Sequence, residues 1–258
     1  MVKLVFVTGA SSGIGQALCQ RFYLAGYQVA LVTRHVEPVY TWAQSAGWSA
    51  HRYRVYAADV AVPDTMVAAA RECLAQQGIP DVVIASAGIS IGVDTAIRQD
   101  IDVMARVFAI NNVGMAATFH PFVESMRQRG SGSLVGIASV NGIRGFPGHG
   151  AYCASKAAVI SYCESLRGEL RGAGVRVTTL CPGYIDTPLT RGNRYAMPFL
   201  MQPGDFANRA LHAIEAGESY RVIPWPMAIV ASLLRVLPNP IFDRLFAGRA
   251  RKRRITGT

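Results

Sequence analysis

Charge is scarce in this chain: only 16% of its 258 residues are Asp, Glu, Lys or Arg, with 16 acids against 26 bases. With 51% hydrophobic residues and 25 glycines, the composition excludes a disordered or fibrous protein. Closely spaced cysteine pairs are missing too. Cys19, Cys73, Cys153, Cys163 and Cys181 are scattered and odd in number, which argues against a zinc site or a disulfide framework. No metal is expected, and buried free thiols in a reducing cytoplasm fit the pattern. Long apolar runs are also lacking. The N-terminal run is too short for a signal-peptide core and has no cleavage site, so export is not expected. The run from Met227 to Leu237 is too short to span a bilayer.

The length suits one α/β sheet with helices on both faces. The formal net charge is +10, and six of the bases (Arg244, Arg249, Arg251, Lys252, Arg253 and Arg254) lie in a final stretch without an acid. The basicity is therefore largely a property of the tail and says little about a catalytic site.

Apolar strand patterns alternate with helical ones. Strands are expected at Leu4–Val7, Gln28–Val32, Arg52–Ala57, Val82–Ser86, Ser133–Ala138, Val175–Leu180 and Arg221–Ile223. Helices are expected after Gly15 to about Ala25, around Pro38–Ala46, from Pro63 towards Gly78, from Asp100 to Gln128 with a break near Pro121, from Tyr152 to Arg171, and briefly around Leu211 and Ile214. Strand-helix alternation with short turns implies a parallel, doubly wound sheet of Rossmann type, a single domain of three layers. Residues 1–223 form the expected nucleotide-binding and catalytic unit, and 224–258 an apolar, then basic, extension.

The first strand runs into Thr8-Gly9-Ala10-Ser11-Ser12-Gly13-Ile14-Gly15, and a helix follows. Gly9 permits a tight turn, Gly13 lets backbone approach a pyrophosphate, and Gly15 lets the helix pack closely. The helix N-terminus offers free N–H groups and the positive end of its dipole to phosphate. After the second strand, where an acid would bind the 2′-hydroxyl of NAD, stands Thr33-Arg34. An arginine attracts a 2′-phosphate, so NADP is favoured over NAD, unless Arg34 is simply a solvated surface residue.

Tyr152 and Lys156 lie four residues apart on one helix, so phenol and ammonium share a face. An isolated tyrosine with a pKa near 10 is a poor acid-base catalyst. A nearby ammonium favours the phenolate, an oxidised nicotinamide ring adds positive charge, and together they move the group towards the working range. Ser139 follows an apolar strand, thirteen residues earlier, at the carboxyl edge where ligands bind in such sheets. By itself it reads equally as a turn serine.

The glycine spacing with Thr8, together with Tyr152-Cys-Ala-Ser-Lys156, resembles the short-chain dehydrogenase/reductase family over about residues 3–223. The resemblance implies hydride transfer between nicotinamide C4 and a carbonyl or secondary alcohol. In that scheme Tyr152 is the general acid/base, Ser139 orients the substrate oxygen, Lys156 holds the ribose, and Asn111 is the fourth catalytic residue; Asn112 stands beside it. The resemblance also implies cofactor contacts at Gly9, Ser11, Ser12, Gly13, Ile14, Gly15, Asp59, Val60, Ala87, Gly88, Pro182, Gly183, Ile185 and Thr187. Two positions depart from the family. Its second NADP signal, a basic residue before the second glycine, is Ser12 here. Its usual Asn-Asn-Ala-Gly is Ala85-Ser86-Ala87-Gly88, for which looser sheet packing is expected without loss of catalysis.

Met197, Phe199, Leu200 and Met201, beside Arg191 and Arg194, fall in the variable substrate lid and suggest a hydrophobic substrate. Phe146 and His149 are expected in another wall. The extension from Pro224 combines an apolar helix, Trp225 and a basic cluster. It suits either peripheral contact at the inner face of a membrane or packing on the chain's own core or on a sister subunit, in a homodimer or homotetramer. Nucleic-acid binding is not expected, because no recognition element accompanies the basic cluster. A cofactor-sensing regulator is the alternative to an enzyme, but such relatives usually lose the Tyr-Lys pair.

Overall fold

The computed structural model describes residues 2–193, 195–248 and 250–254; Arg194, Arg249 and residues 255–258 lie outside the described residues. Seven strands form one parallel sheet: β1 Leu4–Thr8, β2 Gln28–Thr33, β3 Tyr53–Ala57, β4 Val82–Ala85, β5 Gly132–Ile137, β6 Val175–Pro182 and β7 Tyr220–Ile223. Their spatial order is β3-β2-β1-β4-β5-β6-β7, the doubly wound arrangement expected from the sequence. The chain reverses its winding between β1 and β4, so the loops after these strands diverge and leave a crevice at their carboxyl ends.

Among the described residues the α-helices are α1 Gly13–Leu24, α2 Glu37–Ser45, α3 Pro63–Gln76, α4 Gln99–Phe108, α5 Gly114–Arg129, α6 Gly150–Glu169, α7 Pro188–Arg191, α8 Pro203–Glu215, α9 Trp225–Val236 and α10 Asn239–Phe246. The two-residue period of β1 divides its side chains between two cores. Val5 and Val7 pack with Leu18 and Phe22 of α1 and Phe206 and Leu211 of α8. Leu4 and Phe6 face the other way, towards Met66 of α3, Phe122 of α5 and Val159 of α6. The rings of Phe6 and Phe122 meet edge to face at 4.8 Å. Each such fully buried side chain stabilises the fold by about 1.5–3 kcal/mol.

Three elements differ from expectation. The helix expected to break near Pro121 is instead interrupted at Ala109–Val113, a π turn between α4 and α5, while Pro121 lies inside α5. The extra residue in the turn rotates Asn111 into the interior, where its amide is fully hydrogen-bonded. That local gain competes with regular α geometry. α8 is a full helix rather than the brief one read around Leu211, since Pro203 fits its first turn and Phe206, Ala210 and Ile214 repeat on its buried face. The extension holds two helices rather than one: Pro238 interrupts the apolar run, and α9 and α10 meet there. Met227 and Ala231 of α9 belong to the core, whereas Trp225, Ile229, Leu233 and Val236 point outwards. Among the described residues, no helix is long and apolar enough to cross a membrane.

Candidate active site

The loop between β1 and α1 is built around missing side chains. A Cβ on Gly15 would lie 2.1 Å from the carbonyl oxygen of Gly9, and one on Gly9 would lie 2.9 Å from the backbone of Ala87. Loop, helix and the segment after β4 therefore close on one another as only glycine allows. The first turn of α1 carries no acid and no side-chain cap, so its N–H groups and positive dipole end stay available to an anion. Thr8 Oγ1 accepts hydrogen bonds from the N–H groups of Ser86 (3.2 Å) and Ala87 (3.4 Å). This threonine thus braces the segment in which the family's second asparagine is replaced by Ser86.

A cleft of about 600 Å³ opens at the switch point. Its lining includes Gly9, Ser11, Ser12, Gly13, Ile14, Gly15, Arg34, Asp59, Val60, Ala87, Gly88 and Thr187 from the sequence-based expectation. Pro182, Gly183 and Ile185 are not among its lining residues. Gly183 is turned towards Met227, whose Cγ would be 2.9 Å from an added Cβ, and the Ile185 side chain is buried in the core below the lid. Sequence reasoning missed His35, Arg106, Ile110 and Leu189, which also line the cleft. Only the hydrophobic phase of α4 hints at Ile110, and nothing in the sequence singles out Arg106. Asp59 serves the turn as well as the cleft, because its Oδ1 accepts the N–H of Ala61 at 2.9 Å.

Ser139, Tyr152, Lys156 and Asn111 converge behind Gly88. Lys156 is buried and donates from Nζ to the carbonyl of Ile137 at 2.7 Å. The same Nζ lies 5.8 Å from the centre of the Tyr152 ring and 3.5 Å from where a Gly88 Cβ would stand. Ser139 Oγ accepts the N–H of Asn141 at 3.2 Å and shares a hydrogen bond with the Tyr152 phenol. Asn111 is 2% exposed. Its side chain pairs with both backbone groups of Ile89, at 2.9 and 3.0 Å, and donates to Ser155 Oγ at 2.9 Å. Asn112 bonds only the carbonyl of Ser155 on α6, so the two neighbouring asparagines do different work.

Burial pushes the Tyr152 phenol up to about 12, with the Ser139 hydrogen bond acting in the opposite direction. Burial likewise pushes the Lys156 ammonium down to about 8. Sequence reasoning paired Lys156 with the positive charge of an oxidised nicotinamide ring as the source of a lowered phenol pKa; with the chain's own groups, burial leaves the phenol raised.

The model of the short chain dehydrogenase family matches residues 3–197. This chain belongs to that family. As a short-chain dehydrogenase it is an NAD(P)-dependent oxidoreductase. It is similar to an uncharacterized oxidoreductase of Myxococcus xanthus, 36% identical over 93% of this chain and 95% of that protein. Similarity also extends to the mouse dehydrogenase/reductase SDR family member 7B, at 33% identity over 97% of this chain and 82% of that one. In fold it is similar to ElxO with NADP bound, with a TM-score of 0.78, 21% identity, and coverage of 86% and 97% of the two chains. The 3-ketoacyl-(acyl-carrier-protein) reductase of Brucella melitensis complexed with NADH also has a TM-score of 0.78, with 24% identity and coverage of 86% and 96%.

On the substrate side, this dehydrogenase places His149 between two partners: Nδ1 lies 3.1 Å from the Pro147 carbonyl and Nε2 3.2 Å from the Tyr195 hydroxyl. Burial lowers its pKa. Tyr195, which sequence reading passed over, stacks edge-on against His149 and lies near Tyr184. Phe146, expected in the substrate wall, turns instead to Phe242 and Phe246 of α10, where ring packing gives it more buried surface than a solvated cleft would.

Proposed function

We propose that the enzyme transfers hydride between NADP(H) and a carbonyl or secondary alcohol of a hydrophobic substrate, with Tyr152 as general acid/base. The observation that carries this reading is the convergence of Ser139, Tyr152 and Lys156 beside the cleft that ends at Gly88. Ser139 would hydrogen-bond the substrate oxygen beside the phenol, whose pKa it already lowers. Tyr152 delivers a proton to that oxygen as hydride arrives, or removes it in the reverse direction. Lys156, fixed by Ile137, faces the position of the nicotinamide ribose. Asn111 fixes the backbone of Ile89 and, through Ser155, the helix that bears the Tyr-Lys pair. A bound nicotinamide supplies the hydride carrier and, when oxidised, a positive charge that favours the phenolate.

Arg34 supports NADP. It lines the cleft beyond β2 together with His35 and Arg106, and Asp59 is the acid at the end of β3. The deciding experiment follows NADPH and NADH absorbance with a panel of ketones and aldehydes. Turnover with NADPH, reduced about 10²- to 10⁴-fold in Tyr152→Phe with NADPH binding retained, is expected. Normal turnover by that variant would refute the assignment.

Two associations have support on the surface. Trp225, Ile229, Leu233 and Val236 of α9, with Ile241 and Leu245 of α10, form an exposed apolar row, flanked by Arg235 and Arg244. This supports peripheral contact with an anionic membrane. Exposed Ile101 and Met104 on α4 and Tyr162 on α6 support a homodimer or homotetramer, which light scattering would measure. The five buried, unpaired thiols favour a reducing cytoplasm.

A further inference from the structure

The described part of the basic tail, residues 251–254, lies on the protein. After α10 the chain turns back, and residues 251–254 cross the carboxyl edge of the sheet. Arg251 packs against Gly148, where an added Cβ would lie 2.8 Å from Arg251 Cβ. The carbonyl of Lys252 lies over Gly92, only 2.1 Å from where a Cβ would stand, and the N–H of Gly92 donates to Arg253 at 3.0 Å. Arg254 then grips Asp100 at the start of α4 through two hydrogen bonds of 2.6 and 3.0 Å. This pairing leaves the Asp100 residue 4% exposed. Lys252 reaches the opposite way and donates to the carbonyl of Leu189 at 2.8 Å and to Asn193 Oδ1 at 2.7 Å.

These anchors lie on the segments that follow β4, β5 and β6. Gly92 and Asp100 belong to the first, Gly148 to the loop between Ser139 and Tyr152, and Leu189 and Asn193 to the lid. Tyr152 lies in the first turn of α6, directly after the second of these segments, and the 3.2 Å contact of His149 with Tyr195 joins the second segment to the third. Resting on the oxidoreductase reading above, we infer that residues 251–254 form a strap across the mouth of the substrate cleft and are a specificity-determining wall that admits compact carbonyl substrates and excludes bulky ones. The strap is held by two kinds of force. Its charged pairs are geometrically good, above all the bidentate Arg254–Asp100 contact. Its backbone sits on Gly92 and its Arg251 side chain on Gly148, where neither glycine leaves room for a Cβ.

That seat provides a test that leaves the tail untouched. Gly92 has no left-handed φ, so alanine suits its backbone, yet the added methyl collides with the Lys252 carbonyl. Gly92→Ala and a chain ending at residue 248 should therefore act alike. In both, kcat/KM for bulky ketones should rise about tenfold relative to compact ones, while Gly145→Ala, with nothing within 4 Å of its Cβ, keeps the parental ratio. Amide exchange of the peptide 89–98 should quicken in both altered forms. Bound NADPH should also become more open to quenching by acrylamide, a measurement that needs no turnover. An unchanged size profile, or unchanged quenching on removal of the tail, would overturn the strap. Absence of turnover with every carbonyl in all forms would instead count against the oxidoreductase reading, and quenching would still judge the strap.

Discussion

Lys156 is an ammonium without a carboxylate at its side: it is buried, and a backbone carbonyl holds it. Such a group is costly unless a ligand repays the desolvation, which suits a residue that waits for ribose hydroxyls. Tyr152 is displaced in the opposite sense, up to about 12, by its own burial. Arg34 is a simpler case. It is exposed and lines the cleft, and its role rests on charge. Arg34→Asp should lower the preference for NADPH over NADH about 10- to 100-fold, the worth of one or two charge-assisted hydrogen bonds, measured as the ratio of the two kcat/KM values. An unchanged ratio would leave Arg34 as a solvated surface residue.

At the scale of elements, α5 and α9 show how one helix divides its faces. Phe122 on α5 is fully buried against Phe6. Phe122→Ala should cost about 3–5 kcal/mol in urea unfolding, and a loss below 1 kcal/mol would mean that the core collapses around the gap. On α9 the residues at positions 225, 229, 233 and 236 share the outer face, and Leu233 and Val236 are 62% and 77% exposed. If this row meets lipid, Ile229→Ser with Leu233→Ser should reduce co-sedimentation with phosphatidylglycerol vesicles about tenfold or more, leaving turnover of a water-soluble substrate intact. Equal recovery of parent and variant in the pellet would refute lipid contact. Arg251, Lys252 and Arg254, by contrast, are drawn into contacts with the protein itself, whereas Arg235 and Arg244 stay beside the apolar row.

For the whole molecule, buried thiols govern the alkaline limit. Burial pushes Cys73 up to about 12, and Cys153, Cys163 and Cys181 up to about 11, from an ordinary 9.0; Cys19 shifts in the same direction. A group whose folded pKa is raised contributes stability that is complete below its unfolded value and lost as pH climbs towards the folded one. Lys156, lowered from 10.5 to about 8, acts oppositely, since its charged form is disfavoured by the fold, but it is one group against five. The thermal midpoint should therefore fall between pH 9 and 11 in calorimetry at fixed ionic strength. A midpoint that rises across this window would contradict the assignment of five buried thiols.

The sequence by itself determined the order of strands and helices, the parallel sheet, the glycine loop and the shared helix face of Tyr152 and Lys156. These features depend on local rules: two-residue and 3.6-residue periodicity, residues that only glycine can replace, and a four-residue spacing on one helix. The tertiary structure alone decided that the helical irregularity lies at Asn111 rather than Pro121, because the gain is a set of hydrogen bonds to Ile89 and Ser155, residues distant in sequence. It alone decided that the Ile185 side chain enters the core, that Tyr195 meets His149, and that Arg254 returns to Asp100. Each of these outcomes compares the energies of contacts between segments up to 154 residues apart, and no periodicity within a segment encodes which distant partner offers the better one.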